Sequence, residues 1–219
     1  MRPKLFLAQA PDAALIAAGR AHLAALDSAF ARLDAVTPAF EWRVRPGGFA
    51  GLVKMIVEQQ VSTASAAAIW ARVESGLGQV APATVLALDE AGLKALGLSG
   101  PKARYALALA EAAAGGLDFS ALRDLPDDEA VQILTSIRGI GRWTAEVYLM
   151  FCEGRLDVFP GGDIALQEAM RWADGGAVRP GEKAAYQRAE AWRPYRSIAA
   201  HLLWACYGGV KRGEIAAFL

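Results

Sequence analysis

The chain has 219 residues, of which 54% are hydrophobic and 21% are charged, and its formal net charge is zero. This length can bury one large core or two small ones, and the composition excludes a largely disordered chain. Cys152 and Cys206 are the only cysteines, which excludes a disulfide scaffold, a four-thiolate zinc site and an iron–sulfur cluster held by cysteines alone, and favours a reducing cytoplasm.

Apolar residues recur at helical spacing along almost the whole chain, and no stretch alternates as a strand does, so we expect an all-α protein. No apolar run reaches the ~18 residues of a membrane span, and the N-terminus does not resemble a signal peptide, so we expect no membrane association. The predicted helices are, in chain order, Pro11 to Ala35, Gly48 to Glu58, Thr63 to Gly76, Pro82 to Leu86, Glu90 to Leu96, Pro101 to Ala114, Asp127 to Ile137, Arg142 to Cys152, Asp163 to Trp172, Lys183 to Ala191 and Pro194 to Tyr207.

Glycine- and proline-rich breakers separate these helices. We expect two helical subdomains with a cleft between them. We place the central bundle at residues 48–151 and the second subdomain at residues 1–47 plus 152–219. Several aromatic side chains at helical spacing are predicted to be core or structural and are given no functional role: Trp70, Trp172, Trp192, His22 and His201.

The segment from Leu134 to Ala145 is predicted to form two helices joined by a Gly-Ile-Gly turn at residues 139–141. Alternate glycines let the backbone turn tightly and approach another surface, while the isoleucine between them can anchor the turn in the core. The N–H groups at the start of the second helix, with Arg138 and Arg142 beside them, suit a phosphate oxygen. A Gly-x-Gly turn is also typical of an ordinary helix corner, so the turn alone leaves both interpretations open.

The zero net charge counts against a nucleic-acid-binding protein, but the basic residues are unevenly spread. A local patch can neutralise phosphates while acidic residues elsewhere cancel the sum. Three groups are candidates for such patches: Arg138 with Arg142, Lys102 with Arg104, and Arg193, Arg196, Lys211 and Arg212 near the C-terminus.

A second informative segment runs from Asp157 to Gln167, where a Pro-Gly-Gly loop at residues 160–162 precedes Asp163. Asp163 is predicted to sit at the start of a helix, whose dipole favours the ionised carboxylate. An aspartate in this position is usually only a helix cap. Asp157 and Glu168 are competing carboxylates, of which Asp157 is interpreted as a structural partner and Glu168 lies more than a turn into the helix.

Two further motifs flank these segments: Glu58-Gln-Gln-Val-Ser at the end of an early helix, and Arg193-Pro-Tyr-Arg-Ser followed by Trp204. With the hairpin and the Asp163 loop in the same order, residues 47–207 resemble the helix-hairpin-helix (HhH-GPD) DNA glycosylase superfamily, closest to its DNA-3-methyladenine glycosylase II members. The resemblance implies the all-α helix-hairpin-helix glycosylase fold with no iron–sulfur cluster. The short, helical segment before Gly47 implies that the β-rich N-terminal domain of some members is absent.

The resemblance also implies an enzyme of base excision repair that flips an alkylated base, such as 3-methyladenine or 7-methylguanine, out of duplex DNA and hydrolyses its N-glycosidic bond. The implied roles are Asp163 as the catalytic carboxylate; Trp143, Trp204, Tyr148 and Phe159 as the base pocket; Arg138, Gly139, Ile140, Gly141, Arg142 and Thr144 as the contact with the DNA backbone; and Gln60 as the wedge in the duplex. No side-chain metal site is expected, although the resemblance allows a monovalent cation on backbone carbonyls near Ile137 and Ile140.

Relatives that cut the DNA strand carry a lysine after the Gly-x-Gly-Arg of the hairpin, where this chain has Trp143. We therefore expect a monofunctional enzyme without lyase activity. The expected partner is double-stranded DNA with a damaged base, met by a cytoplasmic, nucleoid-associated monomer. Two alternatives stay open: a glycosylase for other damaged or mismatched bases, and a DNA-binding protein that uses the hairpin without catalysis.

Overall fold

The structure is a computed structural model that describes residues 10–37 and 40–215. All regular elements within these ranges are helical, which confirms the all-α prediction. They are α1 (Ala13–Leu26), α2 (Ser28–Val36), α3 (Gly48–Glu58), α4 (Thr63–Leu77), α5 (Pro82–Leu86), α6 (Glu90–Ala95), α7 (Gly100–Ala114), α8 (Asp127–Thr135), α9 (Arg142–Glu153), α10 (Ile164–Ala173), α11 (Glu182–Ala189) and α12 (Arg196–Lys211), with 3-10 turns at Ala121–Asp124 and Glu190–Trp192.

The first of two compact units comprises residues 45–148 and contains α3 to α8 and the first part of α9. Helix α3 is apolar on most of its surface, and it packs against α7, which also contacts α5 and α6. Burial of these apolar faces is the main force that holds the bundle together. The residues that are fully buried where these helices pack include Leu52, Ile56, Val85, Leu109 and Ala110.

The second unit comprises the described residues up to 44 and residues 149–215. Helix α12 lies at its centre and packs against α1, α2 and α10, and its apolar residues from Ile198 to Leu203 are fully buried. Gly19 allows α1 to approach α12 closely, because a Cβ at this position would lie 2.3 Å from the Ile198 side chain. The borders of the two units lie within three residues of the predicted borders at 47/48 and 151/152.

The predicted single helix from Pro11 to Ala35 is wrong, because Asp27 divides it into α1 and α2. Asp27 has an extended backbone, and its carboxylate accepts the Ala29 N–H at 2.9 Å as the cap of α2. The same carboxylate is paired with Arg188 and accepts a hydrogen bond from Trp192 Nε1 at 3.2 Å. Burial raises the pKa of Asp27, but these hydrogen bonds outweigh it and leave the pKa below its ordinary value.

Smaller differences concern helix ends and one core residue. Helix α8 ends at Thr135 rather than Ile137, α12 continues to Lys211, and the 3-10 turn at Ala121–Asp124 was not predicted. Trp172 and Trp192 are buried as predicted, whereas Trp70 is half-buried with the Lys54 ammonium 5.5 Å from its ring centroid.

Within residues 10–37 and 40–215, no helix has the length and hydropathy needed to cross a membrane. Nor do these residues contain a cluster of three or more His, Cys, Asp or Glu side chains that could hold a metal ion. Both cysteines are buried. Burial raises the pKa of the Cys206 thiol to about 11, so this thiol stays protonated near neutral pH.

His201 on α12 lies in the aromatic core of the second unit and is 5% exposed. Its ring stacks on Trp42 with the ring centroids 4.0 Å apart, and it also contacts Phe40, Phe151 and Trp204. This environment offers aromatic surface rather than water to the imidazole. A charged imidazole is disfavoured in such surroundings.

The hydrogen bonding of His201 also fits a neutral ring. Its Nδ1–H donates to the Ser197 carbonyl oxygen at 2.7 Å, and its buried Nε2 has no hydrogen-bond partner in the described part of the chain. Protonation would therefore place an unpaired N–H in the core. Burial, together with the nearby charge of Arg43, lowers the pKa of His201 to about 4 despite the hydrogen bond to Ser197.

The buried His201 predicts that stability falls on acidification. Because its pKa falls from 6.5 in the unfolded chain to about 4 in the folded one, the unfolded state binds more protons between these values, so stability present above pH 6.5 is lost as the pH falls towards 4. This difference in pKa corresponds to about 3 kcal/mol of unfolding free energy. Urea unfolding at several pH values should show this loss in wild type and not in His201→Gln. His22→Gln, at an exposed histidine, should keep the wild-type dependence.

Candidate functional site

The hairpin turn lies between α8 and α9 in the first unit. Ile140 is 3% exposed and anchors the turn in the core, and the Ile140 N–H donates to the Ile137 carbonyl oxygen at 3.0 Å. Gly139 has a φ of +94°, and a Cβ on it would lie 2.1 Å from the Tyr105 ring. Both the backbone conformation and the close approach of Tyr105 therefore require glycine at this position.

Gly141 plays a different part, because it caps α9. Its carbonyl oxygen accepts the Ala145 N–H at 3.0 Å, and a Cβ added to it would meet no atom within 4 Å. The N–H groups in the first turn of a helix have no carbonyl partner within that helix, and the helix dipole favours an anion beside them. Thr144 in this turn is buried, at 5% exposed, unlike the residues at 141–143.

Within the predicted basic patches, the hairpin group contains an arginine that takes part in no ion pair within the described part of the chain. Arg138 is exposed and forms no ion pair with any described residue, and Arg142 is paired with Glu146 at 2.9 Å with its side chain 53% exposed. Most basic residues of the other predicted patches are engaged in other contacts: Lys102 is buried, Arg104 pairs with Glu90, Arg193 and Arg196 with Asp157 and Glu190, and Arg212 with Glu214. Lys211 is exposed, and its ammonium lies 5.6 Å from the Tyr207 ring centroid.

The corner between α3 and α4 belongs to the same unit and contains Gln60. Gln60 is exposed and has a φ of +53°, a left-handed conformation that is uncommon for a residue other than glycine, asparagine or aspartate. Its neighbour Gln59 donates through Nε2 to the Gly139 carbonyl oxygen at 3.3 Å. Gln59 was not singled out from the sequence, although it lies in the motif that includes Gln60. The link joins the corner to the hairpin turn.

Asp163, in the second unit, is the cap of α10 rather than its first residue, and it is half-buried. Its Oδ1 accepts the Leu166 N–H at 3.0 Å and the indole Nε1–H of Trp204 at 3.2 Å. The preceding loop is compact, because the Asp163 N–H donates to the Pro160 carbonyl oxygen and Gln167 Nε2 donates to that of Gly161. The carboxylate is thus held in one orientation.

The predicted pocket aromatics differ in exposure. Trp143 is 43% exposed and Trp204 is half-buried, so both can present ring surface to a ligand. Tyr148 and Phe159 are each 1% exposed, a burial typical of core residues. The Tyr148 hydroxyl accepts the Gly48 N–H at 2.9 Å, and Phe159 packs edge-on against Trp192.

The two competing carboxylates are held in ion pairs. Asp157 accepts hydrogen bonds from Arg193 at 2.5 Å and from Arg196 at 2.8 Å. Glu168 accepts one from Arg171 at 2.7 Å, which lowers the pKa of Glu168. Both carboxylates have ion-pair partners within their own unit.

The segment before the Asp163 loop is bonded to the start of α12, a feature the sequence analysis did not identify. The Ser197 N–H donates to the Leu156 carbonyl oxygen at 2.8 Å, and the Ser197 hydroxyl donates to that of Val158 at 2.9 Å. The Val158 N–H donates in turn to Ser197 Oγ at 3.1 Å. Helix α12 also carries Trp204, so the same helix contacts both ends of the loop.

Comparisons with known proteins agree with these motifs. The family model described as "HhH-GPD superfamily base excision DNA repair protein" matches residues 53–194. The putative DNA-3-methyladenine glycosylase YfjP of Bacillus subtilis is 32% identical over 162 residues, which cover 70% of this chain and 56% of that protein. The chain thus spans little more than half the length of that relative.

Two solved structures are similar over most of the chain. The DNA-3-methyladenine glycosidase of Bacillus halodurans has a TM-score of 0.79 and 34% identity, covering 87% of this chain and 89% of that one. The 3-methyladenine DNA glycosylase Mag1 of Schizosaccharomyces pombe, solved in complex with abasic DNA, has a TM-score of 0.74 and 27% identity, covering 92% and 99%. These similarities confirm the predicted fold class.

The two hairpin glycines should respond differently to substitution. Gly139→Ala should lower the free energy of unfolding by about 2 kcal/mol, because it combines a left-handed backbone with a clash on Tyr105. Gly141→Leu should cost less than about 1 kcal/mol and yet weaken binding to damaged and undamaged duplexes alike, since its side chain points into open space at the helix start. Thermal unfolding and fluorescence anisotropy measure the two effects.

Gly181→Leu is the matched control, because Gly181 also caps a helix, α11, and a Cβ added to it would likewise meet no atom within 4 Å. It should leave duplex affinity unchanged. Equal affinities for the Gly141→Leu and Gly181→Leu proteins would contradict the phosphate role of the hairpin.

Proposed function

The chain belongs to the HhH-GPD superfamily of base excision DNA repair proteins, and from this membership we propose that it is a monofunctional DNA N-glycosylase that removes alkylated bases from duplex DNA. The observation that carries the proposal is the orientation of Asp163, whose Oδ1 is held by the Leu166 N–H and the Trp204 indole. The relatives named as 3-methyladenine glycosylases support the choice of alkylated bases.

One oriented carboxylate is sufficient for this chemistry. Alkylation of a ring nitrogen makes the purine cationic, so the C1′–N bond breaks with its electron pair passing to the base, which leaves neutral. The sugar develops oxocarbenium character, and a nearby anion stabilises that charge most when it is already oriented. Water then adds its oxygen to C1′ and loses a proton. We assign the stabilising anion and the alignment of the water to Asp163.

The lesion has to leave the base stack before this reaction can occur. Trp204 offers a ring beside the carboxylate that it also orients, and a cationic base is attracted to the face of an aromatic ring. Trp143 is the second exposed aromatic candidate. We propose each of these two tryptophans as a base-contacting residue, and Tyr148 and Phe159, each 1% exposed, as core residues of their own units.

Binding of the DNA backbone is assigned to the hairpin. The start of α9 supplies backbone N–H groups, and Arg138 and Arg142 supply charge, which together suit one phosphate. Gln60 at the exposed corner is proposed as the wedge that occupies the gap left by the flipped base. That Mag1 was solved with abasic DNA supports duplex DNA as the partner. We further propose that the protein acts as a monomer.

A monovalent cation at the hairpin is compatible with the turn. The Ile137 carbonyl oxygen accepts only one hydrogen bond from within the turn, from the Ile140 N–H, which leaves a lone pair for an ion. Backbone carbonyl oxygens of this kind coordinate potassium ions in other proteins. The Ile137 and Ile140 carbonyls would hold the ion, which would supply positive charge close to the bound phosphate.

Removal of the Asp163 charge should abolish base release without unfolding the protein. Asp163→Asn should lower single-turnover excision at least about 100-fold, a loss typical of removing a preorganised electrostatic contact. Asparagine caps helices about as well as aspartate, so stability and duplex affinity should change little. Asp128→Asn, at an exposed aspartate on α8, should keep full activity. Substantial excision by Asp163→Asn would refute the assignment.

The lesion and the reaction type can be tested together. The protein should release 3-methyladenine and 7-methylguanine as free bases and leave an unbroken abasic strand, because position 143 holds tryptophan and supplies no amine for a Schiff base. Borohydride should therefore not trap the protein on alkylated duplexes. Efficient trapping, or strand cleavage before alkali treatment, would show a different mechanism. Release of only oxidised, deaminated or mismatched bases would favour the alternative glycosylase function.

A further inference from the structure

Three separate contacts in the first unit join the end of α3, the start of α7 and the hairpin turn in pairs. Lys102 Nζ on α7 donates to the Val57 carbonyl oxygen on α3 at 2.7 Å. The Tyr105 ring, one turn further along α7, lies directly against Gly139. Gln59, at the end of α3, donates to the Gly139 carbonyl oxygen at 3.3 Å. These three contacts close a triangle, which we name the corner frame.

The Lys102 contact is unusual because the ammonium is buried. Lys102 is 8% exposed, and burial lowers its pKa. Burial of a charged group costs free energy unless the group is well paired, and an apolar side chain of similar length would avoid this cost. The ammonium donates a hydrogen bond to the Val57 carbonyl oxygen, which lies in the last turn of α3, where backbone carbonyls have no partner within the helix. It thereby fixes the point at which α3 ends and the corner begins.

The corner itself is strained. Gln60 follows Gln59 directly and has a φ of +53°. This conformation costs a residue with a Cβ about 1 kcal/mol or more. Such conformations persist where the surrounding structure holds them, and they are found most often at functional positions. Here Lys102 holds the chain before Gln60, and Gln59 ties the adjacent residue to the hairpin. The exposed side chain of Gln60 is therefore presented at a fixed place relative to Gly139.

We propose that the corner frame sets the distance between the phosphate bound at the hairpin and the base step entered by Gln60, and that Gln59 and Lys102 are positioning residues for base excision. The inference rests on the proposed function, in which the hairpin binds the backbone and Gln60 enters the duplex. A wedge whose backbone is already held loses less conformational entropy on insertion, and small misplacements of a positioned group can cost large factors in rate.

The proposal makes Gln59 act through Gln60, which a double-mutant cycle can test. The four proteins are wild type, Gln59→Met, Gln60→Ala and the double variant. Methionine is close to glutamine in size and removes the N–H donor without adding charge. Gln79→Met is the matched control, because Gln79 is an exposed glutamine of the same unit and takes no part in the frame. Thermal unfolding fixes a temperature at which all five proteins are folded.

Two readouts are measured for each protein. The first is the single-turnover release of 7-methylguanine from a duplex that contains one such lesion. The second does not depend on catalysis: it is the fluorescence of 2-aminopurine placed opposite a tetrahydrofuran abasic site, which reports insertion into the duplex. Affinity for an undamaged duplex is measured alongside, to report binding at the hairpin.

Gln59→Met should lower excision and the insertion signal about tenfold in the wild-type background and less than about twofold in the Gln60→Ala background. Affinity for undamaged DNA should change less than about threefold, since the hairpin amides are untouched. Gln79→Met should match wild type. A loss of the same size in both backgrounds would show that Gln59 serves stability or general DNA binding, and would overturn the proposal.

Lys102→Met provides a second route to the same result if Gln59→Met proves unstable, because it breaks a different side of the triangle and keeps most of the side-chain volume. Lys102→Met should likewise lower excision and the insertion signal strongly in the wild-type background and only weakly in the Gln60→Ala background. Should wild type release no base from alkylated DNA, the proposed function fails, while the insertion signal still decides whether Gln59 and Lys102 act through Gln60.

Discussion

The two hydrogen bonds accepted by Asp163 Oδ1, from the Leu166 N–H and the Trp204 indole, determine how the second unit is arranged around its carboxylate. Trp204 lies on α12, whose first turn is bonded through Ser197 to the segment just before the loop. One helix therefore holds the loop at its beginning and at its end. A carboxylate fixed in this way needs no reorganisation when charge develops beside it, which is the property that electrostatic catalysis requires.

Much of this arrangement follows from local sequence signals. Helices α3 and α5 begin and end as predicted, at Gly48–Glu58 and Pro82–Leu86, because glycine or proline stands at their starts and short-range preferences decide their ends. The Pro-Gly-Gly loop likewise places Asp163 at a helix start, within one residue of the prediction. Where the neighbouring residues alone determine the backbone, a sequence pattern is enough to locate the position of a candidate residue in the fold.

Contacts between distant residues could not be predicted in this way. Asp27 divides the first predicted helix because its carboxylate is bound by Arg188 and Trp192, more than 160 residues away. The Gln59 contact with Gly139 spans 80 residues, and the Lys102 contact with Val57 spans 45. Neither the spacing of apolar residues nor the glycine and proline positions of a single sequence indicate which distant residues are in contact. The motifs identified Gln60 and the hairpin separately, and only the structure shows the bonds that join them.

The zero net charge of the chain is consistent with binding to a phosphate once the partners of the basic residues are known. Arg104, Arg193 and Arg196 are paired with carboxylates, so they stabilise helices and loops and contribute little to an external field. At the hairpin, by contrast, the donors that we propose for the phosphate are backbone N–H groups at the start of α9, which carry partial charges that a residue count does not include. A protein that holds one phosphate through its backbone needs few surplus cations. A zero net charge is therefore weaker evidence against DNA binding for this fold than for proteins that bind DNA through lysine and arginine side chains.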